Sequence, residues 1–172
     1  MNIVKITHNI PEETIKLEEK RDVPKMTEED LNWCFGAEIT FKDLSTEDIL
    51  MELEVALFGF LNDFLGVVVE FADLNVVRSR IINDPYGAFS LEINLDGKIF
   101  KAVDNFSGQS FQCEMIELKS ACANLLKECI EDVENKFPAI LENPNYLISR
   151  KKLLELGFVN NSFSICLYPH HT

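Results

Sequence analysis

Residues 44–71, LSTEDILMELEVALFGFLNDFLGVVVEF, hold the most apolar run of the chain, Ala56 to Phe71, and their reading decides the fold. A membrane-spanning helix needs about 20 consecutive apolar residues. Glu54, Asp63, Glu70 and Asp73 break this run well short of that, so the stretch belongs to a protein core. Ile49, Leu53, Ala56, Phe60 and Phe64 recur at helical spacing, with Leu50, Leu57 and Leu61 beside them. Ser45 or Thr46 suits a helix N-cap, and Glu47 and Asp48 place negative charge where the first turn of a helix favours it. The pattern predicts a helix through residues 44–64. Beyond Gly66, VVVEF reads either as a β-branched strand or as more helix.

The flanks carry other periods. MNIVKIT (1–7) reads as a short strand, and residues 10–25 fit either a strand or a surface helix. In WCFGAEITF, Trp33, Phe35, Ala37, Ile39 and Phe41 alternate with Cys34, Gly36, Glu38 and Thr40, the pattern of a half-buried strand. AFSLEINLDGKIFKAV (88–103) reads as a hairpin turning at Asp96-Gly97. That turn sets Ile93 against Phe100 and Glu92 against Lys101, with Phe89, Leu91, Ile93 and Phe100 on the inner face. FQCEM (111–115) extends the sheet. From Glu117 a long helix buries Leu118, Cys122, Leu125, Cys129 and Val133, and Pro138 ends it. Asn143-Pro144 starts a further helix that Gly157 stops, and SFSICLY (162–168) reads as a last strand. No sequence repeat is visible. The expected fold is α+β: one domain over residues 1–172, a largely antiparallel sheet covered by two or three helices.

Chemistry is sparse. The five cysteines form no C-x-x-C pair, and the three histidines, His8, His170 and His171, lie near the ends of the chain. Nothing in the spacing sets a base beside Cys34 or Cys166, which fall on expected strands. No phosphate-loop, nucleophile-elbow, zinc or calcium pattern occurs, so no catalytic, cofactor or metal residue is assigned and the chain is read as a non-enzyme. MNIVKITHNIPEE lacks the basic and apolar regions of a secretory leader, which makes the cytoplasm the expected compartment.

Charge says more. The formal net charge is −13. A field of that sign repels phosphate backbones and anionic lipids, so direct binding to nucleic acid or membrane is disfavoured and a basic protein partner is favoured. Glu47, Asp48, Glu52, Glu54, Asp63, Glu70 and Asp73 run through residues 45–75 without a Lys or Arg. Glu128, Glu131, Asp132 and Glu134 form a second cluster on the outer side of the long helix, near Lys127 and Lys136 alone. These acids are the candidate partner-binding residues.

A small, acidic α+β chain without catalytic groups resembles, in general character, the bacterial immunity proteins of contact-dependent inhibition systems. That resemblance implies tight binding to a cognate, basic, nuclease-type toxin domain. An acidic adaptor or DNA mimic, or a carboxylate-based enzyme, are the alternatives. Oligomeric state is left open.

Overall fold

Whether residues 49–56 coil or extend depends on what their backbone N–H and C=O groups can pair with. The computed structural model describes residues 3–72 and 78–158. In it the chain runs β1 (Val4–Asn9), α1 (Glu12–Glu18), a 3₁₀ turn (Val23–Lys25), α2 (Glu28–Trp33), β2 (Gly36–Asp43) and β3 (Ile49–Ala56). It continues through α3 (Leu57–Ala72), β4 (Arg78–Asn83), β5 (Ser90–Asp96), β6 (Ile99–Asp104) and β7 (Ser110–Glu114). Helix α4 (Met115–Lys136), a 3₁₀ turn (Pro138–Glu142) and α5 (Pro144–Phe158) follow.

The expected helix from residue 44 is therefore corrected. Antiparallel pairing sets β3 against β2, with Met51 opposite Phe41 and Leu53 opposite Ile39. Met51, Leu53 and Val55 are buried while Glu52 and Glu54 are exposed, which is a strand's period of two. Ser45 and Thr46 cap no helix. The Asp43 carboxylate accepts the Ser45 N–H at 2.8 Å and its hydroxyl at 2.6 Å, and the Glu47 N–H returns to the Asp43 carbonyl at 2.8 Å. Glu47 takes φ +61°, closing a hairpin. Asp104 builds a similar turn between β6 and β7, with its carboxylate on the Ser107 N–H at 2.9 Å and Gly108 at φ +74°. The helix begins at Leu57 and continues through Gly66 to Ala72, which settles VVVEF as helix.

Three further expectations change. WCF is not strand: Trp33 ends α2, Cys34 caps it, and Phe35 turns the chain at φ +58° before β2 starts at Gly36. A bulky residue in the left-handed region stores about 1–3 kcal/mol of strain. Complete burial of the Phe35 ring beside Phe58 and Phe137 holds it there. The β5–β6 hairpin turns at Gly97-Lys98, pairing Leu95 with Phe100, Ile93 with Ala102 and Glu92 with Val103. Only Gly97 takes positive φ there, the pattern of a type II′ turn. A slip of two preserves faces, so Phe89, Leu91, Ile93 and Phe100 are still buried. Residues 10–25 resolve into helix α1 and a 3₁₀ turn.

The strands form two antiparallel sheets instead of one, in the orders β1-β2-β3 and β4-β5-β6-β7. Each sheet contains three successive antiparallel strands followed directly by a helix, β1-β2-β3-α3, with α1 and α2 inserted between β1 and β2, and β5-β6-β7-α4. Five α-helices, more than the two or three expected, are present among the described residues. The Gln109 side chain accepts the Glu52 N–H at 3.0 Å, tying the β6–β7 turn to the edge of β3. Aromatic packing joins the sheets: Phe41 of β2 stacks on Phe111 of β7 at 4.6 Å, and Phe64 of α3 meets both Phe41 and Phe100 edge-on. Helix α4 buries Leu118, Cys122, Leu125, Cys129 and Val133, as expected. Asn143 caps α5, its side-chain amide oxygen Oδ1 accepting the Asn145 and Tyr146 N–H groups at 2.8 and 3.1 Å. The helix runs one residue past Gly157. The strand expected at 162–168 lies outside the described residues.

Candidate functional site

Where α1, α2, β2, β3 and the β4–β5 turn converge, they leave a groove of about 370 Å³; a second cavity of about 200 Å³ shares Trp33, Val55, Ala56 and Asp84 with it. Each wall has a local cause. The Thr27 hydroxyl and Asp30 carboxylate form a reciprocal capping box that starts α2, the helix that ends at Trp33. The turn DPYG folds because the Asp84 carboxylate accepts the Tyr86 and Ala88 N–H groups, both at 2.9 Å, and Gly87 takes φ +78°. That turn holds Tyr86 out, 76% exposed, edge-on to Trp33 at 5.4 Å; Trp33 is itself 40% exposed. Such a pair of aromatic rings facing water offers apolar area to a partner.

Five carboxylates line the two cavities: Glu13, Glu38, Glu54, Asp63 and Asp84. Among the described lining residues there is no Lys, Arg or His. Glu38 and Glu54 stand directly opposite each other on β2 and β3, an arrangement that costs stability. An amide N–H of Asn9 donates to Glu38 at 2.9 Å, and no cation pairs with either glutamate among the described residues. Low-dielectric walls push the Asp63 carboxyl up from its ordinary value, by desolvation. Gly59 lies against the carbonyl of Asn32, so the floor of the smaller cavity is closely packed.

Of the acids expected from sequence, Glu54 lines the groove and Asp63 the second cavity. Glu47, Asp48 and Glu52 are exposed, but Glu47 and Asp48 sit in the turn at the far end of β3. Others are already spent inside the fold, so the regions are not free of counter-charge. Glu70 binds Arg78 at 2.8 Å and also Arg80. Asp132 binds His8 at 3.1 Å and Lys136 at 2.8 Å, and Glu134 takes the Tyr146 hydroxyl at 2.9 Å and Arg150 at 2.7 Å. Glu131 faces Lys127 at 3.8 Å, and Glu128 is exposed on α4. Asp73 lies outside the described residues. Glu13, Glu38, Asp84, Trp33 and Tyr86 were missed. The one local signal for them was DPYG, a turn that carries an aromatic residue on its tip.

The four thiols among the described residues are poor nucleophiles. Cys34 sits at the α2 C-cap instead of on a strand, and Cys34, Cys113, Cys122 and Cys129 are all buried. Desolvation pushes each thiol up, Cys113 to about 12. His8 is committed to Asp132. Among the described residues no group of three or more His, Cys, Asp or Glu is placed to hold a metal ion, and no helix is long and apolar enough to cross a membrane. No family model, curated protein or solved structure matches the chain.

Proposed function

We propose that this chain is a protein-binding module of the immunity type, which neutralises a basic toxin domain in the cytoplasm by docking it on the acidic groove. The observation that carries the reading is the concentration of five carboxylates, with no cationic residue among the described lining, beside exposed Trp33 and Tyr86. Stability alone would not select it. Opposed Glu38 and Glu54 oppose folding, whereas a cationic partner between them gains from both. Interface anchors are typically aromatic residues beside charges that find partners only in the complex. A nuclease surface shaped to hold phosphates has the complementary sign.

A reading frame for a toxic domain must then lie beside this chain, and co-expression of the two tests the proposal. Rescue of growth is expected, with a complex that survives gel filtration at 150 mM salt and associates more slowly as salt rises. Absence of both rescue and complex refutes it.

A further inference from the structure

We infer that the groove is built to receive an arginine side chain from the partner, its guanidinium held between the Glu38 and Glu54 carboxylates and flanked by Trp33 and Tyr86. The inference rests on the protein-binding reading and specifies its anchor. Charge alone would accept lysine equally, so the choice depends on shape. Glu38 and Glu54 are cross-strand partners, which places two carboxylates side by side at the end of β3. A planar fork of five N–H donors can bond two adjacent carboxylates at once, while an ammonium is a point charge with a tightly held hydration shell. Trp33 and Tyr86 present ring surface on the same groove, and a guanidinium stacks on such faces better than an ammonium does. Glu13 on the α1 side extends the negative wall, and the aliphatic stem can lie against Ala56, which ends β3 on the same face as Glu54.

The chain contains one tryptophan, Trp33, so its fluorescence reports this site alone. The probes are hexa-arginine amide, hexa-lysine amide and hexa-citrulline amide, titrated at 20 mM salt. A saturable change in Trp33 emission is expected with hexa-arginine, at least fivefold weaker binding with hexa-lysine, and none with the uncharged citrulline peptide. The Glu38→Gln/Glu54→Gln variant, which relieves a repulsion and so keeps its fold, is expected to bind hexa-arginine at least tenfold more weakly. Glu128→Gln/Glu131→Gln on α4 is expected to leave binding unchanged. Equal affinity for hexa-lysine, or a response that persists in Glu38→Gln/Glu54→Gln, overturns the inference. The two proposals fail separately. A toxin neutralised equally well by Glu38→Gln/Glu54→Gln removes the anchor and keeps the immunity reading. A groove selective for arginine in a chain that rescues no cell removes the immunity reading and keeps the site.

Discussion

Helix α3 contains two glycines whose replacement by alanine should change stability in opposite directions. At Gly66, a Cβ would meet nothing within 4 Å. Alanine is then free to contribute its helix propensity, about 0.5–1 kcal/mol over glycine in a helix interior. At Gly59, the same Cβ would stand 2.8 Å from the Asn32 carbonyl oxygen and 3.7 Å from its carbon, both backbone atoms of α2. No side-chain rotation relieves that contact, so α2 must move. Overpacking of this kind costs about 1–3 kcal/mol, and the propensity gain offsets part of it, leaving a net loss of about 1–2 kcal/mol. For a chain of this length 1 kcal/mol is worth about 2–4 °C in Tm. Gly66→Ala should therefore melt about 1–4 °C higher than the parent and Gly59→Ala about 2–8 °C lower, followed by circular dichroism at 222 nm. Trp33 adjoins Asn32, so its emission should shift in Gly59→Ala and not in Gly66→Ala. A Gly59→Ala protein as stable as the parent, with unchanged emission, would show that α2 and α3 do not approach as described.

Four other outcomes follow from particular contacts. Glu54→Lys turns the repulsion with Glu38 into attraction and should raise stability by about 0.5–1 kcal/mol at low salt. Glu52→Lys changes net charge equally but faces Thr40, so equal gains in the two variants would count against a cross-strand origin. Asn143 is fully buried and donates to the Val23 and Met26 carbonyls at 2.8 and 3.0 Å while capping α5. Asn143→Ala should cost about 2–4 kcal/mol by urea unfolding, and a loss below 1 kcal/mol would refute that network. In a Cys166→Ser background, the four buried thiols should resist Ellman's reagent at pH 8 until guanidinium is added. Cys113 keeps its proton to about 12 in the fold, against 9.0 ordinarily. The unfolded chain therefore sheds protons first, and stability should fall as pH rises from 9 towards 12. A flat alkaline profile would refute that burial.

Elements whose signals are local were legible in the sequence. The α4 stripe, the Asn143-Pro144 cap and the buried face of the β5–β6 hairpin all appear as read, because propensity, capping and period act between near neighbours. Residues 49–56 satisfied two periods at once: Leu53 belongs both to the helical series Ile49, Leu53, Ala56 and to the alternating series Met51, Leu53, Val55. Pairing with β2 broke the tie, and that partner lies across a turn closed by the Asp43 carboxylate and by Glu47 in a conformation unusual for glutamate. The acidity of the surface was likewise plain from composition. Which acids are neutralised was not, since Glu70 meets Arg78 and Arg80, and Glu134 meets Arg150, only after folding. Sequence by itself determined the class of fold, the sign of the field and the apolar residues that make a core. Tertiary structure decided where that field is left unbalanced, because ion pairing and groove walls depend on distances between residues far apart in the chain, such as Trp33 and Tyr86, or Glu38 and Glu54.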